Sequence, residues 1–231
     1  MIPRRASTAL LIGLLTLAHA QDAFDPARTY VLGEKDVYGL SMKMSTAAYD
    51  VGITGKLTYT TRKVYPNGDA DLESQASDMV INALGQELKQ PTSEPRMARY
   101  SKFGAPLDHS QDKSKAQPKY MSFLTYRVPT LMKLGVAVKV SEKLGDEAKT
   151  EVKGTAKLES LTDGIAKVVA SLDVSQAKGK KPMHIDSISY IDVKSSKLNR
   201  VESHLTNVDA SELSGTEGVG SITVVIERQK S

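Results

Sequence analysis

The chain has no cysteine and no tryptophan. The first absence excludes disulfides, thiolate catalysis and an acyl anchor on an N-terminal cysteine. A protein of this composition in an oxidising compartment is held by its core alone. The second absence, with aromatics at only 5%, leaves too few rings for the girdles of an outer-membrane barrel or for a base-stacking platform. A charge of one sign is missing too. Lys and Arg number 31 against 27 Asp and Glu, and the two are interspersed, so the basic balance does not point to nucleic acid. The longest basic cluster, Lys178-Gly179-Lys180-Lys181, reads as a solvated turn. No Gly-x-Ser-x-Gly elbow, Walker loop or His-Glu-x-x-His motif occurs. The glycine-rich run Gly215-Thr216-Glu217-Gly218-Val219-Gly220 precedes a predicted strand rather than a helix, so it lacks the helix N-terminus that binds phosphate.

What is there begins with an address. Arg4 and Arg5 precede an apolar run from Ala9 to Ala18, and Ala18-His19-Ala20 supplies small residues at the spacing a signal peptidase uses. The run is too short to anchor in about 30 Å of hydrocarbon, and no later stretch predicts a spanning helix. Residues 1–20 are therefore expected to be a cleaved export signal, with the mature chain starting near Gln21. Ala6-Ser7-Thr8 after the arginine pair favours ordinary export of an unfolded chain, to the periplasm or the outside of a bacterium. Without Arg4 and Arg5, 29 basic side chains face 27 acidic ones.

The hydrophobic period is two. Leu40-Ser41-Met42-Lys43-Met44-Ser45, Leu57-Thr58-Tyr59-Thr60 and Val136-Ala137-Val138-Lys139-Val140-Ser141 alternate apolar and polar residues, which sets one face on a core and the other in water. Strands are predicted over 28–33, 36–46, 51–65, 69–80, 120–127, 135–142, 149–161, 164–175, 183–192, 197–207 and 219–228. Turns fall at Pro66-Asn67-Gly68-Asp69, Thr162-Asp163-Gly164 and Lys194-Ser195-Ser196-Lys197. Residues 79–90 fit either a strand pair or a short helix. The strand at Leu40 resembles the one at Val136, 96 residues later, and Gly55-Lys56-Leu57 resembles the run from Gly154 to Leu158. Two related meanders, 28–90 and 120–228, are thus expected in one β domain, joined by a Pro-rich linker over 91–119 that carries Pro91, Pro95, Pro106 and Pro118. The fold class expected is all-β: one curved, half-barrel-like antiparallel sheet.

Val128-Pro129, Gly135, the Gly154-Thr155 strand, the Asp163-Gly164 hairpin and the hairpin from Tyr190 to Leu198 together resemble a widespread set of uncharacterised secreted bacterial β-proteins. That set is similar at fold level to the half-barrel carriers that ferry lipoproteins or lipids across the periplasm. The likeness covers residues 120–207. It departs at Ser196, where the set commonly has glycine. It implies an architecture and carries over no functional residue.

Three groups of candidate residues follow. An apolar concave side would be lined by Met42, Met44, Leu57, Tyr59, Val138, Val140, Leu158 and Val168, and would hold a hydrophobic small molecule, a lipid or a protein segment with few directed polar contacts. This non-enzymatic binding or carrier role is the expected function, with no cofactor and no nucleic-acid partner. His184 and His204, on strands flanking the 194–197 turn, would form with Asp186 a two-histidine, one-carboxylate metal or acid–base site if register puts both rings on one face and nearly opposite. That is the competing, metal-binding or hydrolase-like reading, beside a structural envelope module; His109 reads as a loop residue. Met42, Met44, Met79, Met121, Met132 and Met183 are soft ligands suited to cuprous ion, and equally the adaptable filler of a core or cleft.

Overall fold

The computed structural model describes residues 23–47, 49–105, 107, 126–144, 150–176, 180–209 and 219–229. Thirteen strands and no helix occur among them: β1 (Ala23–Phe24), β2 (Lys35–Ser45), β3 (Asp50–Val64), β4 (Ala70–Ala83), β5 (Gln86–Lys89), β6 (Arg96–Tyr100), β7 (Met132–Lys133), β8 (Ala137–Leu144), β9 (Thr150–Thr162), β10 (Ile165–Val174), β11 (Met183–Asp192), β12 (Leu198–Asp209) and β13 (Val219–Arg228). The all-β expectation holds, and the predicted export signal lies outside the described residues.

Eleven strands form one antiparallel sheet in the order β5-β4-β3-β2-β13-β12-β11-β10-β9-β8, with β6 also on β4. From β8 the chain meanders strand by strand to β13. There it meets β2, Ile222 opposite Met44 and Ile226 opposite Leu40, and β2 to β5 continue the same meander. The C-terminal strand thus fuses two hairpin series into one sheet, and β5 and β8 at its ends do not pair with each other, so the sheet is open.

Alternation explains which face is the core. In β2 the buried positions are Asp36, Tyr38, Leu40, Met42 and Met44; in β10 they are Ala166, Val168, Ala170, Leu172 and Val174. With Ile222, Val224 and Ile226 of β13 they belong to one apolar cluster on one side of the sheet, apart from the charged Asp36. The hairpin β9–β10 closes through Asp163-Gly164, both at positive φ (52° and 74°), as a two-residue turn matched to strand twist requires. Gly154 sits where β9 meets β10, and a Cβ there would stand 2.1 Å from the Ser171 carbonyl oxygen. No other residue fits that approach.

Three expectations need correction. Residues 28–33 are not a strand: the amide of Glu34 donates to the carbonyl of Val31 (3.1 Å) around Gly33 at φ +79°, so the segment turns and straps across the end of β3. Residues 126 and 127 carry no strand, and 120–125 lie outside the described residues. Within 91–119, expected as a linker, Arg96–Tyr100 add to β4 as β6, and Ser93 donates its amide to Ala76 (2.8 Å). Of the two readings open for 79–90, the strand pair is the one that forms, turning at Leu84-Gly85 with φ 51° and 76°.

The apolar face is not bare. β1 pairs with β7, Phe24 opposite Met132, and this small ribbon with its flanks 23–34 and 126–136 forms a cover. Phe24, Val128 and Met132 join the buried cluster of the sheet. The cover is tied to β9 at Leu134, a parallel bridge partner of Leu158, and by the Gly135 amide, which donates to the Leu158 carbonyl (2.9 Å).

Candidate functional site

Where the cover meets β2 and β3, the sequence places charge on an inward position. Asp36 has the parity of Tyr38 and Leu40 and is 2% exposed. A carboxylate taken from water at that depth needs cations, and three separate segments supply them. Arg28 of the strap pairs with it. Lys197, from the β11–β12 turn, reaches it at 3.1 Å, and Arg228 at the end of β13 at 3.5 Å. Lys197 also pairs with Glu34. Arg28 stacks on the Tyr30 ring, 4.5 Å from its centroid, while its Nε is buried with no hydrogen-bond acceptor.

Arg127 completes the group and differs from the rest. It is 8% exposed, and its Nη1 donates to the carbonyls of Pro26 (2.9 Å) and Ser196 (2.7 Å). Among the described residues no carboxylate pairs with it. Burial, and then the neighbouring Arg28 charge, bring its pKa down to about 10. Ser196 is held at φ +52° in presenting that carbonyl.

Two cavities adjoin Arg127, each of about 30 Å³, room for a water or two. The first is walled by Arg28, Tyr30, Tyr38, Tyr59, Tyr100 and Arg127, where the main core meets a smaller cluster of Tyr30, Ala70, Leu72 and Tyr100. Tyr38 and Tyr59 meet edge to face, centroids 6.1 Å apart. Burial pushes the Tyr59 hydroxyl up and that of Tyr100 up to about 12, so both stay neutral donors at ordinary pH. The second lies between the cover and the sheet floor. Tyr126, Val128 and Met132 roof it, and Val168, Ala170, Leu172, Ile185, Ser187 and Ser189 form its base. Small side chains make this hollow: Ser187 lies opposite Ala170 and Ser189 opposite Val168.

Of the eight lining residues expected from the sequence, Tyr59 borders the first cavity and Val168 the second. Met42, Met44, Val140 and Leu158 are buried in the main cluster, with Leu57 and Val138 packed against it. Met132 and Met183 are buried there too and Met79 packs on it; Met121 and His109 lie outside the described residues.

The histidine candidates occupy the opposite, solvent side. Register sets His204 opposite Asp186, and His184 opposite Thr206 and Asp173, so both rings share a face but are offset by a residue pair. Each nitrogen of His184 already has a partner: Nδ1 lies 2.8 Å from Asp173 and Nε2 3.3 Å from Asp186. The hydrogen bond to Asp173, and with it the charge of Asp186, raises the His184 pKa. An imidazolium between two carboxylates satisfies that geometry, and a metal would have to displace it. His204 Nδ1 meets Thr223 Oγ1 at 3.2 Å. Among the described residues no group of three or more His, Cys, Asp or Glu side chains is arranged to hold a metal ion.

Sequence reasoning missed Arg28, Asp36, Arg127 and Lys197. One signal was present: Asp36 opens an alternating strand on its apolar parity. The fold and site define an all-β protein with an open sheet, a cover over its apolar face and a buried cation–tyrosine cluster at the seam. No family model matches the chain, and no match to a curated protein is found.

Proposed function

We propose that this chain is an exported, non-enzymatic protein that binds or carries a hydrophobic ligand between its cover and the apolar face of its sheet. The observation that carries the reading is the cavity over Val168, Ala170 and Ile185, roofed by a separate two-stranded ribbon. A sheet built only for stability would fill that floor with large side chains, since an interior packed to ordinary density leaves few such voids. At about 30 Å³ the hollow as it stands admits no acyl chain. The ligand therefore takes the places of Phe24 and Met132, and the cover moves to let it in. Each methylene transferred from water contributes about 0.8 kcal/mol, which offsets the apolar contacts the cover gives up. Among the described residues no helix is long and apolar enough to cross a membrane.

The test is extraction of the protein, purified gently from the compartment to which it is exported, into organic solvent for mass spectrometry, with a titration of a fluorescent fatty-acid probe beside it. Co-purified lipid or saturable probe uptake is the expected result. Neither lipid nor uptake would remove the carrier reading.

A further inference from the structure

We infer that Arg127, with Arg28 beside it, seats the head group of an aliphatic carboxylate whose single chain runs beneath the cover over β10 and β11. The inference rests on the carrier reading and adds the chemistry of the ligand. Four cations meet at this seam, Arg28, Arg127, Lys197 and Arg228; Asp192 adds its charge on the Arg228 side, and within ion-pair distance, among the described residues, two carboxylates, Glu34 and Asp36, answer the group. Both carboxylates sit on the Arg28 and Lys197 side. Arg127 is left with two carbonyl acceptors, which satisfy hydrogens but neutralise no charge. A buried, unneutralised guanidinium is costly, and an anion brought against it relieves that cost.

The shape of the site selects the anion. Arg127 is the one side chain that walls both cavities, so a group held there has the tyrosine-lined space on one side and the apolar hollow on the other. The planar fork of a guanidinium matches a carboxylate with two parallel hydrogen bonds. The tyrosine-lined space, about 30 Å³, suits the few heavy atoms of a carboxylate and is too small for a phosphodiester bearing a second chain. The unpartnered Nε of Arg28 supplies a further donor on that side. The alkyl chain then follows Ala170, Leu172 and Ile185 under Met132.

The experiment is isothermal titration of the purified protein at pH 7.5 with three monomeric amphiphiles of equal chain length: dodecanoate, dodecanol and dodecyltrimethylammonium. Dodecanoate is expected to bind at least about tenfold more tightly than dodecanol, in line with a charge-assisted hydrogen-bonded pair, and the cationic amphiphile weakest. Within Arg127→Gln, dodecanoate should lose its advantage and bind no more tightly than dodecanol does to the same variant. Equal binding of dodecanoate and dodecanol by the unmodified protein would overturn the head-group assignment while leaving the carrier reading standing. Binding of none of the three would overturn both. The comparison within the unmodified protein needs no variant, so a misfolded Arg127→Gln does not shelter the claim.

Discussion

Two charged clusters lie on opposite sides of this sheet, and they obey opposite rules. Around His184 the carboxylates of Asp173 and Asp186 are mostly in water, and the ring itself is 37% exposed. Around Asp36 the carboxylate is buried, and three cations from strap, turn and last strand converge on it. In the first cluster solvent screens every pair, so its contribution to stability is small. In the second a missing partner strands a charge in the interior. The residues with the most suggestive chemistry in the sequence are those the fold can most easily spare. The ones it cannot spare look like any surface charge until the chain is folded.

Substitutions in the two clusters should differ accordingly. Asp36→Asn keeps the shape and removes the charge that Arg28, Lys197 and Arg228 share; a loss of about 3–5 kcal/mol is expected, read as a lower urea midpoint at unchanged slope. Leu158→Ala, at a fully buried position of β9, sets the scale of an ordinary core truncation at about 2–5 kcal/mol. If Asp36→Asn costs clearly less than Leu158→Ala, the cluster is not what holds the strap. Ser196→Gly should act the other way. Relief of a left-handed serine outweighs the added chain entropy of glycine by about 0.5–1 kcal/mol, a rise in Tm of a few degrees at most.

His184→Ala is expected to cost least, below about 1 kcal/mol, with a pH signature. The folded pKa of His184 is raised, so its contribution is fully present below the unfolded value of about 6.5 and fades as pH climbs through the folded pKa. Denaturation of the wild type and of His184→Ala at pH 5.5 and pH 9 should therefore show the gap between them shrinking at the higher pH. A gap that widens would mean the ring is held neutral, and the acid–base reading of this face would regain ground.

Most of the sheet was legible because a half-buried strand has a side-chain period of two. Met183–Asp192 and Val219–Arg228 could be bounded from alternation alone. What escaped did so for physical reasons. Leu84 begins a tight turn in a left-handed conformation that asparagine or glycine usually signals, and it sits 84% exposed, so the run around it looked like a possible helix. β6 pairs with β4 alone, and its burial runs from exposed Arg96 and Met97 to buried Tyr100 without alternating, hence its weak signal amid prolines. The strap 28–34 is apolar enough for a strand, but Gly33 turns it. Whether His184 and His204 share a face was open in the sequence, because it depended on register between β11 and β12; the capture of both His184 nitrogens by carboxylates depended on register across three strands. The seam cluster joins Asp36 to Lys197 across 161 positions, a distance no local pattern spans. Its one legible mark was an aspartate on an apolar stripe.

The cover is fastened at two ends, and a ligand would enter past one of them. The buried charges fasten the strap at one end of the cover, and the Leu134–Leu158 bridge fastens the other to β9. If the ligand lodges beneath the cover, the second fastening must open. The chain has no cysteine of its own, so a single engineered disulfide can lock it: Leu134→Cys with Leu158→Cys joins two bridge partners whose backbones are already neighbours. The measurement is uptake of a fluorescent fatty-acid probe by this double variant, first oxidised and then reduced. Loss of uptake in the oxidised form and its return on reduction is the result expected. Equal, saturable uptake in both forms would contradict a ligand site under the cover.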